Sequence, residues 1–362
     1  MIVRTSLSPT LRRVATVLVA AMALGACNTV GPSAVESARQ PYNQAIVKTQ
    51  NEQMLLNLVR LKYRDTPMFL EIGTVSTQYQ FEYGGGVSTE FVFDDALSDH
   101  SINAKSSFKF IEKPTITYSP LQGEKFVTQL MTPIALDTLL LLSRSGWSGE
   151  RVLRCCVQSM NGLPNAPMAA GPTPAREPRF RDFKQATSLM RELQLAGAAR
   201  LTRSGSEYLY TFDGDELAAG RDLQSVLGLD AGREKYSLIV SDAWNKTTIS
   251  LYPRSFLGVM FYLSQAVEVP TSHVEAGLVT QTKTTAGGDF DWKELTGDLF
   301  AVKSASSEPS DAFVRIYYRG QWFYIDDADL NSKTTFGLLS YLFSLQSGSR
   351  QTITPALTLP LG

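Results

Sequence analysis

Three times along this chain a short β-prone run, a polar or proline-containing loop and a strongly apolar helical run follow one another. Residues 115–118 lead through Pro120 and Gly123 into an apolar run at 126–131. Residues 247–252 lead through Pro253 into 256–267, and residues 322–325 lead through Asp326-Asp327-Ala328-Asp329 into 335–345. A chain whose hydrophobic period keeps switching between two and 3.6 must bury helix stripes against sheet faces. The expected fold is α+β, with antiparallel sheets and helices packed on one face, built as one unit or as two subdomains. A hydrophobic content of 43% with 19% charged residues suits a packed core of this kind.

Around this pattern the chain divides at a few composition shifts. Residues 28–40 are small and polar and read as a tether. Pro41 suits the first turn of a helix, and Ile46, Thr49, Leu55, Leu56 and Val59 recur at roughly helical spacing until Asp65-Thr66-Pro67 stops them. This helix is rich in amides, with Asn43, Gln44, Gln50, Asn51, Gln53 and Asn57. Residues 68–83 then alternate through Val75, Thr77, Tyr79, Phe81 and Tyr83, which predicts a strand. Gly84-Gly85-Gly86 reads as the turn that ends it, with further strands at 90–93, 104–111 and 115–118. Five prolines at 162–178 mark a linker or loop between a region at 41–161 and a region at 179–362.

The first 28 residues carry a different message. Arg4, Arg12 and Arg13 precede an uncharged, mostly apolar run at 14–23, and Leu24-Gly25-Ala26-Cys27 closes it with small residues before a cysteine. The apolar run is too short for a stable membrane-spanning helix, which needs about 20 residues. This segment resembles the signal peptide and lipobox of a bacterial lipoprotein. The resemblance implies cleavage between Ala26 and Cys27, a diacylglyceryl group on the Cys27 sulfur and an acyl chain on its amine. Two or more acyl chains hold a protein firmly on a bilayer. Asn28 stands where the family's inner-membrane retention signal is an aspartate, so the resemblance points to the outer membrane, facing the periplasm.

Few motifs with chemical meaning compete for attention. Lys and Arg number 34 against 35 Asp and Glu, and three of the basic residues lie in the leader. The mature chain is slightly acidic, which argues against a nucleic-acid partner. Cys155 and Cys156 are adjacent, too close for an unstrained disulfide, and sit in a run at 150–160 that reads as a helix. His100 and His273 are the two histidines and lie far apart. Ser106-Ser107-Phe108-Lys109 matches SxxK but falls in a strand, with its serine and lysine on opposite faces. Asp327, Asp329 and Asn331 begin like a calcium loop, yet Ser332 and Leu338 occupy its glycine and acidic positions, so helix capping explains them better.

No catalytic, cofactor-binding or metal-ligating set assembles from these residues. The aromatic hairpin at 312–325 offers Tyr317, Tyr318, Trp322 and Tyr324 as partner-binding residues. The reading that follows is a lipid-anchored envelope protein, non-enzymatic, acting as an accessory or scaffold subunit for a protein partner. The alternative is an envelope enzyme acting on glycan or peptidoglycan through paired carboxylates, which need no proximity in sequence. A small-ligand carrier, which needs a sizeable apolar cavity, is a third reading.

Overall fold

The structure is a computed structural model and describes residues 40–89, 102–170, 175–212 and 218–347. The first described element is a helix over 40–62, α1. The N-terminal half of α1 is exposed, whereas Met54, Leu55, Leu58, Val59 and Leu61 are buried in its C-terminal half. The chain then turns into an antiparallel ribbon of two long strands, β1 (Leu70–Thr89) and β2 (Ile102–Pro120). Among the described residues this ribbon is a two-stranded sheet of its own.

Helices α2 (Glu124–Met131), α3 (Leu136–Arg144) and α4 (Gly149–Cys156) follow. Ser148 caps α4 by accepting the Arg151 N–H. Strands β3 (Val157–Met160) and β4 (Leu163–Pro164) open a six-stranded sheet. After α5 (Arg181–Leu195), β5 (Ala199–Ser204) and β6 (Glu207–Phe212) form a hairpin. Helix α6 (Ala218–Leu227) leads to β7 (Lys235–Val240) and β8 (Thr248–Pro253), giving the order β4-β3-β8-β7-β6-β5. Tyr210, Phe212, Tyr236, Leu238, Ile249 and Leu251 form the buried face of this sheet. Leu139 of α3, Leu153 of α4 and Met190 of α5 line an apolar cavity of about 260 Å³ with Tyr210, Leu238 and Leu251, so these helices cover that face.

The remaining elements are α7 (Phe256–Ser264), α8 (Thr271–Glu275), α9 (Lys293–Thr296), β9 (Lys303–Ala305), β10 (Ala312–Tyr318), β11 (Gln321–Asp326) and α10 (Leu330–Gln346). The three strands make an antiparallel sheet in the order β10-β11-β9. One continuous core runs from Met54 of α1 to Leu342 of α10. The fold is α+β, and no helix among the described residues is long and apolar enough to cross a membrane.

Several expectations change. The pair β7–β8 is parallel, not antiparallel: the seven residues 241–247 bring the chain back so that Thr248 lies beside Ser237. Gly84-Gly85-Gly86 does not end a strand: it pairs with Ser107, Ser106 and Lys105 inside β1. Likewise Pro114 interrupts no pairing in β2, since Thr77 stands opposite it and the register continues. The helix expected over 150–160 stops at Cys156, where Val157–Met160 joins β8 as a strand. Within the proline-rich segment, β4 (Leu163–Pro164) pairs with β3 and a 3-10 turn follows at Pro167–Ala170. Ala166 and Ala169 are fully buried, and Asn165 donates to the carbonyls of Arg154 and Val157 at 2.9 and 2.7 Å. The strand expected at 90–93, His100 and the leader lie outside the described residues.

Candidate protein-binding surface

The end of α1 fixes two things at once, the root of the long ribbon and the turn of the aromatic hairpin. Asn57 and Gln53 stand one turn apart on α1. The Asn57 amide donates to the Met68 carbonyl at 2.7 Å and accepts the Met68 N–H at 2.9 Å. Gln53 repeats the arrangement on Leu70, donating at 3.2 Å and accepting at 2.9 Å. Two side-chain amides thus replace a neighbouring strand for the segment entering β1. Between them Phe69 is buried, stacked on Phe343 with ring centroids 5.0 Å apart and edge-on to Phe126 at 5.8 Å. The Phe69 carbonyl accepts the Leu121 N–H at 2.9 Å, which closes the ribbon at its base.

Arg319 and Gly320 turn the hairpin of β10 and β11 with φ of 49° and 79°, the two positive values that a tight right-twisted hairpin needs. Asp65, just past α1, accepts from the Tyr318 hydroxyl and from Arg319 at 2.9 Å. Tyr63 lies edge-on to Tyr318 and Phe323, under the Arg319 guanidinium, and its hydroxyl is 2.6 Å from Nδ1 of His273. Burial alone would raise the Asp65 pKa, but the hydrogen bonds from Tyr318 and Arg319 outweigh it and hold the carboxyl below its usual range. Burial pushes the Tyr63 hydroxyl up to about 12 despite the nearby Arg319.

Register separates the four aromatic residues singled out in the sequence. Tyr317 is cross-strand from Trp322, with ring centroids 5.2 Å apart, and Tyr324 is cross-strand from Arg315 on the same side. Tyr317 is 60% exposed, and Trp322 and Tyr324 are half-buried. Tyr318 does not join them, because its hydroxyl is committed to Asp65 at the internal joint. The outward face therefore consists of Arg315, Tyr317, Trp322 and Tyr324.

Beside this face, the exposed half of α1 and β10 enclose a groove of about 560 Å³. Asn43, Val47 and Asn51 line one wall, and Phe313 and Arg315 line the other. Val47 is 55% exposed and Phe313 36% exposed, so the groove has an apolar floor open to solvent. A guanidinium, amides and exposed aromatic and aliphatic groups together match the composition of protein-binding surfaces.

The other sequence-level candidates are structural. Cys155 and Cys156 are buried free thiols, and burial raises the Cys155 pKa to about 11. Asp329 caps α10 by accepting the Ser332 N–H at 3.0 Å, Asp327 pairs with Lys333 at 2.6 Å, and Asn331 accepts from Arg151 at 2.8 Å. No group of three or more His, Cys, Asp or Glu able to hold a metal occurs among the described residues.

Two of the buried cations, Arg254 and Lys62, carried no signal in the sequence. Arg254 is 1% exposed and donates to the carbonyls of Arg154, Cys155, Val157 and Asn165, tying the end of α4 to β8 without a carboxylate. Its guanidinium lies 4.2 Å from the centroid of the Tyr262 ring. Lys62 is 6% exposed and donates to Gln265 Oε1 at 3.3 Å, in the wall of a cavity of about 390 Å³. Burial lowers its pKa to about 8. In the same cavity Asp289 pairs with Lys283 and Asp291 accepts the Lys293 N–H, so both carboxylates are engaged. Comparison of the chain with protein-family models, with curated proteins and with solved structures gave no match in any of the three.

Proposed function

We propose that this chain is a lipid-anchored protein of the bacterial cell envelope, held through acyl chains on Cys27 in the outer membrane and facing the periplasm. Its body acts as a non-enzymatic scaffold or accessory subunit that binds a protein partner. The observation that carries this reading is the apolar-floored groove between the exposed half of α1 and β10, flanked by Tyr317, Trp322 and Tyr324. The described part of α1 starts thirteen residues after Cys27 in sequence, so a lipid on Cys27 would keep this surface near the headgroups, where an envelope partner is met.

Crosslinking mass spectrometry on the lipidated protein, purified in mild detergent, tests the reading. Crosslinks from Lys48 to one specific envelope protein are expected. Recovery of monomer with no specific crosslink sinks the scaffold reading. For the anchor, Cys27→Ser should abolish incorporation of radiolabelled palmitate and release the protein from membranes; unchanged retention refutes it.

A further inference from the structure

Two cavities adjoin where α3 ends, α4 begins and α5 ends. One is the apolar cavity of about 260 Å³ between these helices and the six-stranded sheet. The other is a polar chamber of about 540 Å³ lined by Trp147, Arg151, Arg154, Arg191, Asp298 and Asn331. Ser143, Arg144, Glu150 and Gln194 belong to the walls of both, so the apolar space has the polar chamber at one end.

Protein interiors are packed to crystal-like density, and voids larger than a water molecule are few. An apolar cavity of this size costs stability and holds water poorly. Its wall also carries Tyr210, which is 8% exposed and whose hydroxyl makes no hydrogen bond among the described residues. Burial raises the pKa of that hydroxyl, so it stays a neutral donor. Tyr210 stands cross-strand from Leu201, whose carbonyl accepts from Arg144 at 3.3 Å, so Tyr210 lies near the shared wall. In the chamber, four guanidiniums meet two carboxylates. Glu150 and Asp298 both pair with Arg154, at 3.4 and 2.7 Å, and Asp298 also reaches Lys184 at 3.5 Å. Arg151 donates to the side chain and carbonyl of Asn331, Arg191 to Gln194 and Arg144 to Leu201. None of these three arginines forms an ion pair among the described residues, which leaves the chamber with a positive surplus.

The geometry points to a binding site for a single-chain anionic amphiphile, with its alkyl chain in the apolar cavity and a carboxylate or phosphate monoester head in the arginine chamber. Volume sets the chain. At about 30 Å³ for a water-sized group the cavity holds on the order of nine of them, which fits one medium alkyl chain and not a second. Charge sets the head, because an anion balances the surplus of Arg144, Arg151 and Arg191 with charge-assisted hydrogen bonds. The free Tyr210 hydroxyl donates to the head where the two spaces meet. A peptide is a poor occupant, since its backbone donors and acceptors find no partners among Leu139, Leu153, Leu238 and Leu251. The site shares no lining residue with the groove beside α1, so it stands or falls separately from the protein-binding reading.

The test uses the full lipidated chain held in amphipol, so that no free detergent competes for the cavity. Decanoate or decyl phosphate should raise the melting temperature in a concentration-dependent way, and the more effective of the two assigns the head as carboxylate or phosphate. Decyltrimethylammonium and inorganic phosphate alone should leave it unchanged. Tyr210→Phe, which removes only the hydroxyl, should weaken the better probe about fivefold, and Arg144→Glu about tenfold or more. Met190→Trp, which fills the cavity from α5, should abolish binding. A decanoate with a terminal diazirine should label the wild-type chain on peptides carrying Leu153, Met190 or Tyr210 after irradiation. No shift with either anionic probe overturns the proposal, as does an equal shift with decyltrimethylammonium or with inorganic phosphate alone. Unweakened binding to Tyr210→Phe and Arg144→Glu also overturns it. So does labelling confined to other segments, which decides the matter even where Met190→Trp fails to fold.

Discussion

Asn57 exchanges two hydrogen bonds with the backbone of Met68, donating to its carbonyl at 2.7 Å and accepting its N–H at 2.9 Å. A side-chain amide has the donor and acceptor of a peptide group side by side, so it completes an edge that no strand reaches. Asn57 is fully buried, and its loss removes the partner of both Met68 backbone groups. Asn57→Leu should therefore destabilise the protein by about 2–4 kcal/mol, measured by urea denaturation. The half-exposed Gln53, with the same geometry on Leu70, should cost less when changed to Leu. Equal and small effects at both sites would show that the clamp holds nothing.

Lys62 gives a pH signature with a definite sign. Its folded pKa of about 8 lies below the ordinary 10.5, so burial disfavours the charged form. Below about pH 8 both states carry the proton, and the folded protein bears the full penalty of about 3 kcal/mol. As pH rises from 8 toward 10.5 the folded lysine is neutral while the unfolded one remains charged, and stability recovers. Lys62→Met orphans Gln265 Oε1, yet should still stabilise at pH 7 by about 1 kcal/mol, and its advantage should shrink and reverse above pH 8. Parallel stability profiles for the two proteins would contradict this.

Asp65 works in the opposite direction. Its carboxyl is held below the usual range, so its contribution is present above about pH 4 and is lost as pH falls through the folded value. The side chain is 35% exposed and paired with a 37% exposed Arg319, so solvent screening keeps the effect to about 1 kcal/mol or less. Asp65→Asn should lower the melting temperature at pH 7 and leave it equal to wild type near pH 2.

The outward aromatic face should matter for binding and not for folding. Tyr317→Ala and Val47→Glu remove exposed groups, and each should change stability by no more than about 0.5 kcal/mol. Both should reduce partner crosslinking. A large loss of stability in either variant would mean that the surface is part of the fold.

Cys155 and Cys156 should resist alkylation by iodoacetamide in the native protein, since both are buried and Cys155 titrates near 11. Labelling should follow unfolding in urea, read by mass spectrometry. Rapid labelling without denaturant would place the thiols near the surface.

Much of the element layout was legible because period and punctuation are local properties. Asp65-Thr66-Pro67 follows the end of α1, Arg319-Gly320 marks the hairpin turn, and Asp329 caps α10 through its own nearby backbone. The glycine triplet misled because glycine ends a strand only when a turn is required, and here a long partner strand keeps the pairing going. Residues 157–160 continue a helical pattern, yet they pair with β8 and β4, partners distant in sequence that the local period cannot register.

The candidate surface was half legible. Its aromatic residues stand out in sequence, but which of them face outward depends on register, and Tyr318 is turned inward by Asp65, 253 positions earlier. Likewise, Gln53 and Asn57 showed only as an amide-rich stretch, since nothing local says that an extended segment lies against that helix face. By itself the sequence carried the α+β class, the alternation of the ribbon and the resemblance of the segment at Cys27 to a lipobox, all written in neighbouring residues. Only the tertiary structure decided that Gln53 and Asn57 clamp the root of the ribbon, that Lys62 and Arg254 are buried, and that a groove opens beside α1. Those features arise where segments distant in sequence meet, and local chemistry does not encode where that happens.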